Sequence, residues 1–163
     1  MTAPGIRKWR VIVAAKHRRR ERIESDLGRE RQLLAEREAV LRDAVEVRTQ
    51  AHTEQIEHEA KIVALLDGTE CFATSQYLLH DAWRTPLKEA LDEARAVERK
   101  HRTALECQQA KVAELQAALV RAEGSLDECR RKLDTLLRAA AVAAEFAADE
   151  EAAENILARR YAR

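Results

Sequence analysis

The residues best equipped for chemistry are scattered in a way that builds no reaction centre. Three cysteines, Cys71, Cys107 and Cys129, form an odd set without CxxC spacing, which argues against a disulfide framework or a zinc site and suits a reducing cytosol. The five histidines have no metal-ligand spacing with them. No cofactor and no catalytic activity are therefore expected. Enzymes need Gly-rich turns and a concave pocket, and a chain with four glycines and two prolines has little to build either from.

Charge and apolar contact are what remain. Arg7, Lys8, Arg10, Lys16, Arg18, Arg19, Arg20 and Arg22 crowd one stretch against the single acid Glu21. Runs of charge are usually solvated helix faces, yet one of this density is also a candidate for an acidic partner surface. Nucleic acid is not the expected partner, because no aromatic interleaving or DNA-binding motif accompanies the run. The short apolar stretch Val11-Ile12-Val13 is too brief for a signal-peptide core or a bilayer span, so neither export nor direct membrane insertion is expected and the chain reads as cytoplasmic. A second cluster, Phe72, Tyr77, Leu78 and Trp83, holds half of the chain's six aromatics. It reads either as a small closing core or as an exposed contact patch, since aromatics dominate binding energy at interfaces.

Helices must carry these groups. Charged residues make up 36% of the chain and aromatics 4%, a balance suited to a narrow buried seam rather than a thick core. A heptad frame starting at Ile6 places Ile6, Val13, Arg20, Leu27, Leu34, Leu41, Arg48, Gln55 and Ile62 at a. Its d positions are Trp9, Lys16, Ile23, Glu30, Arg37, Ala44, Ala51, His58 and Leu65. Gly68 then interrupts the helix. A stronger frame opens near Pro86, with Thr85 as N-cap. Leu91, Glu98, Leu105, Val112, Leu119, Leu126, Leu133 and Ala140 occupy a. Leu87, Ala94, His101, Gln108, Leu115, Ala122, Cys129, Leu136 and Ala143 occupy d. Thr74 or Ser75 could cap a short helix between the two frames.

This pattern predicts an all-α fold, a long antiparallel two-helix coiled-coil hairpin in a single domain over residues 1–163. Helix 1 is expected over about 6–66, a tip over 67–85, and helix 2 over about 86–155. Gathering polar seam residues into facing layers gives a register with Arg48 opposite Gln108, Gln55 opposite His101, and His58 opposite Glu98. It also sets Leu41 against Leu115 and Leu27 against Cys129. The competing arrangement is a set of open helices in an oligomeric bundle, because Lys16, Arg20, Glu30 and Arg37 weaken the seam. In the hairpin, Arg130 and Arg131 join the first helix's arginines in a basic collar. The acids Glu145, Asp149, Glu150, Glu151 and Glu154 lie close enough to pair loosely with Arg7, Lys8 and Arg10.

The basic start Ile6-Arg7-Lys8-Trp9-Arg10, the Arg-rich heptads through Arg18-Arg19-Arg20-Glu21-Arg22, and a second long helix together resemble the central-stalk proteins of type III secretion. This is the FliJ/YscO/SctO group, and the Ala- and Arg-rich character is most similar to members from plant-associated bacteria. The resemblance implies a hairpin similar to the γ subunit of rotary ATPases, without chemistry of its own. Its partners would be the hexameric secretion ATPase, the export-gate membrane protein, and secretion chaperones released from their cargo. It would sit in the cytoplasm, peripheral to the membrane-embedded apparatus, and serve virulence. Arg7, Arg10, Arg18, Arg19, Arg20, Arg22, Arg130 and Arg131 are then the candidate ATPase contacts, and Phe72, Tyr77, Leu78 and Trp83 a candidate tip patch. The family's gate-binding aromatics on the first helix have no counterpart here between Trp9 and Phe72. Two other functions fit the same residues: a structural coiled coil built from several copies, and an export chaperone that binds secreted proteins.

Overall fold

The computed structural model describes residues 3–67 and 74–161. Among them it contains two α-helices, α1 (Ala3–Leu66) and α2 (Thr74–Tyr161). Pro4 falls in the first turn of α1, where a missing N–H leaves no bond unmade. At the other end, the Asp67 amide donates to the Val63 carbonyl at 3.0 Å and closes the last turn. Gly68 and Phe72 lie outside the described residues.

Each helix contributes to two compact units: one of Met1–Leu27 with Glu114–Arg163, the other of Gly28–Ala113. Within each unit a stretch of α1 packs antiparallel on a stretch of α2, the coiled-coil hairpin that the heptads predict. The burial pattern identifies the seam. Leu27, Ala44, Ile62, Leu91, Ala94, Val112 and Leu126 form the buried apolar set, with Glu98 and Gln108 as the buried polar residues. All nine occupy expected a or d positions. The remaining a and d residues are half-buried, save Ala143, which is exposed.

The structure departs from expectation at the start of the second helix. Residues 74–85, expected in the tip, are already helical, so Thr85 caps nothing and Pro86 lies inside α2. Proline in a helix interior removes the bond to the carbonyl four residues back, here Ala82, and is usually disruptive. The turns before it are held from the side instead. Arg84 reaches α1 with a bidentate pair of bonds to Glu59, Nε at 3.1 Å and Nη2 at 2.9 Å. His58 Nε2 donates to the His80 carbonyl at 2.7 Å.

An earlier start to α2 moves the point about which the chain folds back, and the register moves with it. Arg48 meets Glu98 rather than Gln108, His58 meets His80 rather than Glu98, and Gln108 meets Glu30 rather than Arg48. The displacement is about two heptads, and the observed polar pairs join like positions, a to a for Arg48–Glu98 and d to d for Gln108–Glu30. With the native cysteines replaced, a Leu41→Cys/Leu105→Cys pair, whose leucines line one groove, should cross-link within a chain through a short bismaleimide. Leu41→Cys/Leu115→Cys should not. The reverse outcome would restore the sequence-based register.

Gly28 and Gly124 are exposed in helix interiors, and a Cβ added at either meets nothing within 4 Å. Alanine at each should therefore raise stability by about 1 kcal/mol, read from a urea melt.

Candidate partner-binding surfaces

In the unit that contains the start of α1, the arginine-rich face is split into two kinds of residue. Arg7, Arg10, Arg18, Arg19 and Arg22 are exposed and have no ion-pair partner among the described residues. Arg20, at a seam position, is half-buried and engaged. Its Nη1 donates to Glu24 at 2.6 Å, and its Nε and Nη2 both reach Glu123 Oε1 across the helix pair at 3.3 Å. It acts as a clamp between α1 and α2, and its charge is largely satisfied within the hairpin.

From α2 the same unit presents Arg130 and Arg131, both exposed, with Arg130 3.6 Å from Asp127 on its own helix. Lys132 lies over the half-buried Trp9 ring, 5.5 Å from its centroid, a cation–π contact that helps fix where the two helices meet. The arginines expected to form a collar share this unit and are interspersed with acids: Glu123 faces Arg20, and Asp127 and Asp134 flank Arg130 and Arg138. Pairing of the C-terminal acids with Arg7, Lys8 and Arg10 is absent among the described residues. α2 stays helical, so its rise of about 1.5 Å per residue carries Glu145 to Glu154 along the axis instead of folding them back. Every residue over 141–161 is exposed.

The unit built from Gly28–Ala113 has a seam with polar layers and an aromatic end. Arg37 Nη1 donates to the Ala104 carbonyl at 2.9 Å. The Gln108 amide, 1% exposed, donates to both the carbonyl and the carboxylate of Glu30. Glu98, 9% exposed, accepts from Arg48 Nε at 2.9 Å and from Arg102 Nη2 at 2.6 Å. Among the described residues, no buried side-chain nitrogen or oxygen is left without a partner. Around Glu98 an open groove is lined by Arg48, His52, Arg95, Arg99 and Arg102.

Near the start of α2, the sequence-derived tip patch divides. Tyr77 is half-buried, whereas Leu78 and Trp83 are exposed at 59% and 54%, joined by the exposed Leu79. Trp83, Leu79, His58, His80, Lys61 and Leu87 line a shallow groove of about 350 Å³. The His58 and His80 rings tilt against each other at 5.0 Å. Arg84 is held above its ordinary pKa range, chiefly by its bond to Glu59.

Sequence reasoning did not single out the Arg84–Glu59 clamp or the exposed apolar residues Phe146, Ile156 and Leu157 of α2. The second group was detectable, because Val142, Phe146, Ala153 and Leu157 recur at helical spacing. The described residues contain no group of His, Cys, Asp or Glu placed to hold a metal, and no helix long and apolar enough to cross a membrane.

Comparison with known proteins finds one family. A model of the bacterial type III secretion protein HrpB7 matches residues 5–160, nearly the full chain. Neither the curated proteins nor the solved structures compared with it gave a match. The type III secretion assignment drawn from the basic start and the two long helices is borne out, and the chain belongs to the HrpB7 family of bacterial type III secretion proteins.

Proposed function

We propose that this chain is the central stalk of a type III secretion machine, linking the hexameric secretion ATPase to the export gate. The carrying observation is the family match over residues 5–160, on a chain whose helices pair as an antiparallel hairpin with an exposed, unpaired arginine face. A hairpin of this kind is similar to the γ subunit of rotary ATPases. It transmits events at the ATPase without performing chemistry. Arg7, Arg10, Arg18, Arg19, Arg22, Arg130 and Arg131 form the ATPase-facing surface, where long-range attraction to an acidic pore speeds encounter. Leu78, Leu79 and Trp83 form a second contact, suited to the export gate or to a secretion chaperone. The protein works in the cytoplasm, peripheral to the membrane apparatus.

The direct test adds the purified chain to its cognate ATPase. ATP turnover is expected to rise, and Arg18→Glu/Arg19→Glu/Arg22→Glu is expected to abolish the rise while leaving the helical circular dichroism unchanged. Arg20 is left out of the set because its loss would disturb the seam itself. An ATPase indifferent to the wild-type chain would remove the stalk reading.

A further inference from the structure

The last stretch of α2 is a helix without a partner. Residues 141–161 are exposed throughout, and with them Val142, Phe146, Ile156 and Leu157, each about half exposed or more. Val142, Phe146, Ala153 and Leu157 recur at i, i+4, i+11 and i+15 and form one stripe, with Ile156 at its edge. Glu145, Asp149, Glu150 and Glu154 lie beside or between its members and Glu151 on the far side of the helix, with no basic residue until Arg159. A helix bearing such a stripe normally gains most of its stability from packing that stripe on something.

The complementary surface lies on α1 of the same unit. The α1 face opposite the seam carries Arg7, Val11, Ala15, Arg18 and Arg22 at the same helical spacing, with Lys8 and Arg19 at its edges. Val11 is 63% exposed. One face is apolar and acidic, the other apolar and basic, and the spacing of the two matches. Within one chain they cannot meet, because α2 carries its stripe away from α1.

We propose that two copies of this chain join about a two-fold axis, the exposed end of α2 from each lying along the outer α1 face of the other. When the two copies meet end to end, helix rise aligns Phe146 of one with Val11 of the other. The same alignment sets the acidic run Glu145 to Glu154 of one chain level with the stretch of the other that carries Arg10, Arg18 and Arg19. The contact is isologous and closed, so assembly stops at the dimer. It covers the basic face assigned above to the ATPase, so the dimer and the ATPase-bound form exclude one another. The dimer itself does not depend on that assignment.

Sedimentation equilibrium of the full chain tests this without any ATPase present. At low salt the mass should be twice that of the 18.5 kDa chain, falling toward the single-chain mass in 1 M salt as the charge contacts are screened. Glu150→Lys/Glu151→Lys/Glu154→Lys should raise the dimer dissociation constant about 100-fold, and Arg18→Glu/Arg19→Glu/Arg22→Glu by a similar factor. Mixing the two variants restores both contacts at once, so a heterodimer should form where neither variant dimerises alone. All of these side chains are exposed, and circular dichroism will report whether each variant stays helical. A wild-type chain that remains single at 100 µM in low salt overturns the proposal. So does a dimer unmoved by both charge sets, or a mixture that stays monomeric. Binding of the ATPase by residues 141–161 of a monomeric wild-type chain would assign the stripe to that partner instead.

Discussion

Ile62→Ala is expected to cost about 3–4 kcal/mol of unfolding free energy, more than any other single truncation among the described residues. Ile62 is 0% exposed and sits at an a position of the seam. A two-helix seam has no third layer to collapse into the space left behind, so the penalty combines lost transfer energy with an unfilled cavity. Leu91→Ala, at 2% exposure on the facing helix, should cost nearly as much. The control is Val63→Ala, next along α1 but 53% exposed, which should change stability by about 0.5 kcal/mol or less. Urea melts followed at 222 nm would read all three. Equal losses at Ile62 and Val63 would mean that the seam runs along another face.

The second large effect concerns the polar layer around Glu98. Glu98→Leu alone should destabilise by about 2–3 kcal/mol, because it leaves the half-buried Arg48 guanidinium without its carboxylate. Arg102 contributes little to this loss, since its side chain is 60% exposed and can turn to water. Arg48→Leu/Glu98→Leu should recover most or all of the lost stability, as apolar replacements of paired seam charges commonly do. A double-mutant cycle measures the coupling directly. Additive effects would show that Arg48 and Glu98 do not interact in solution. The double variant should also tolerate alternative pairings better than the wild type, because a leucine layer fits any neighbouring leucine layer.

These two sites show what the sequence made legible and what it did not. That Ile62, Leu91 and Glu98 share one seam follows from heptad spacing alone, since a helix repeating near 3.5 residues keeps a and d on one side. Which seam residues meet across the hairpin depends on where the chain turns, and spacing carries no information about that. Pro86 and Thr85 are a well-formed helix start by local rules, and they misplaced the turn. The bonds of Arg84 to Glu59 and of His58 to His80 override that local signal, and both are visible only once the helices are paired. The arginine face was legible as charge. Its division into exposed residues and the engaged Arg20 was not, because that division depends on Glu123, distant in sequence. The family could be read from layout because basic start, heptads and length are properties of the whole chain.

The spaced polar layers in the unit of Gly28–Ala113 also bear on mechanical behaviour. Leucine rungs repeat every seven residues, so a purely apolar ladder could slip one rung under axial shear and repair itself at little loss. Arg37 with Ala104, Gln108 with Glu30, Arg48 with Glu98 and Arg84 with Glu59 are unevenly spaced, like the cuts of a key. A slip of one rung would break the Arg48–Glu98 and Arg84–Glu59 pairs and take Gln108 from Glu30, so the paired helices should yield to pulling by unzipping from an end rather than by sliding.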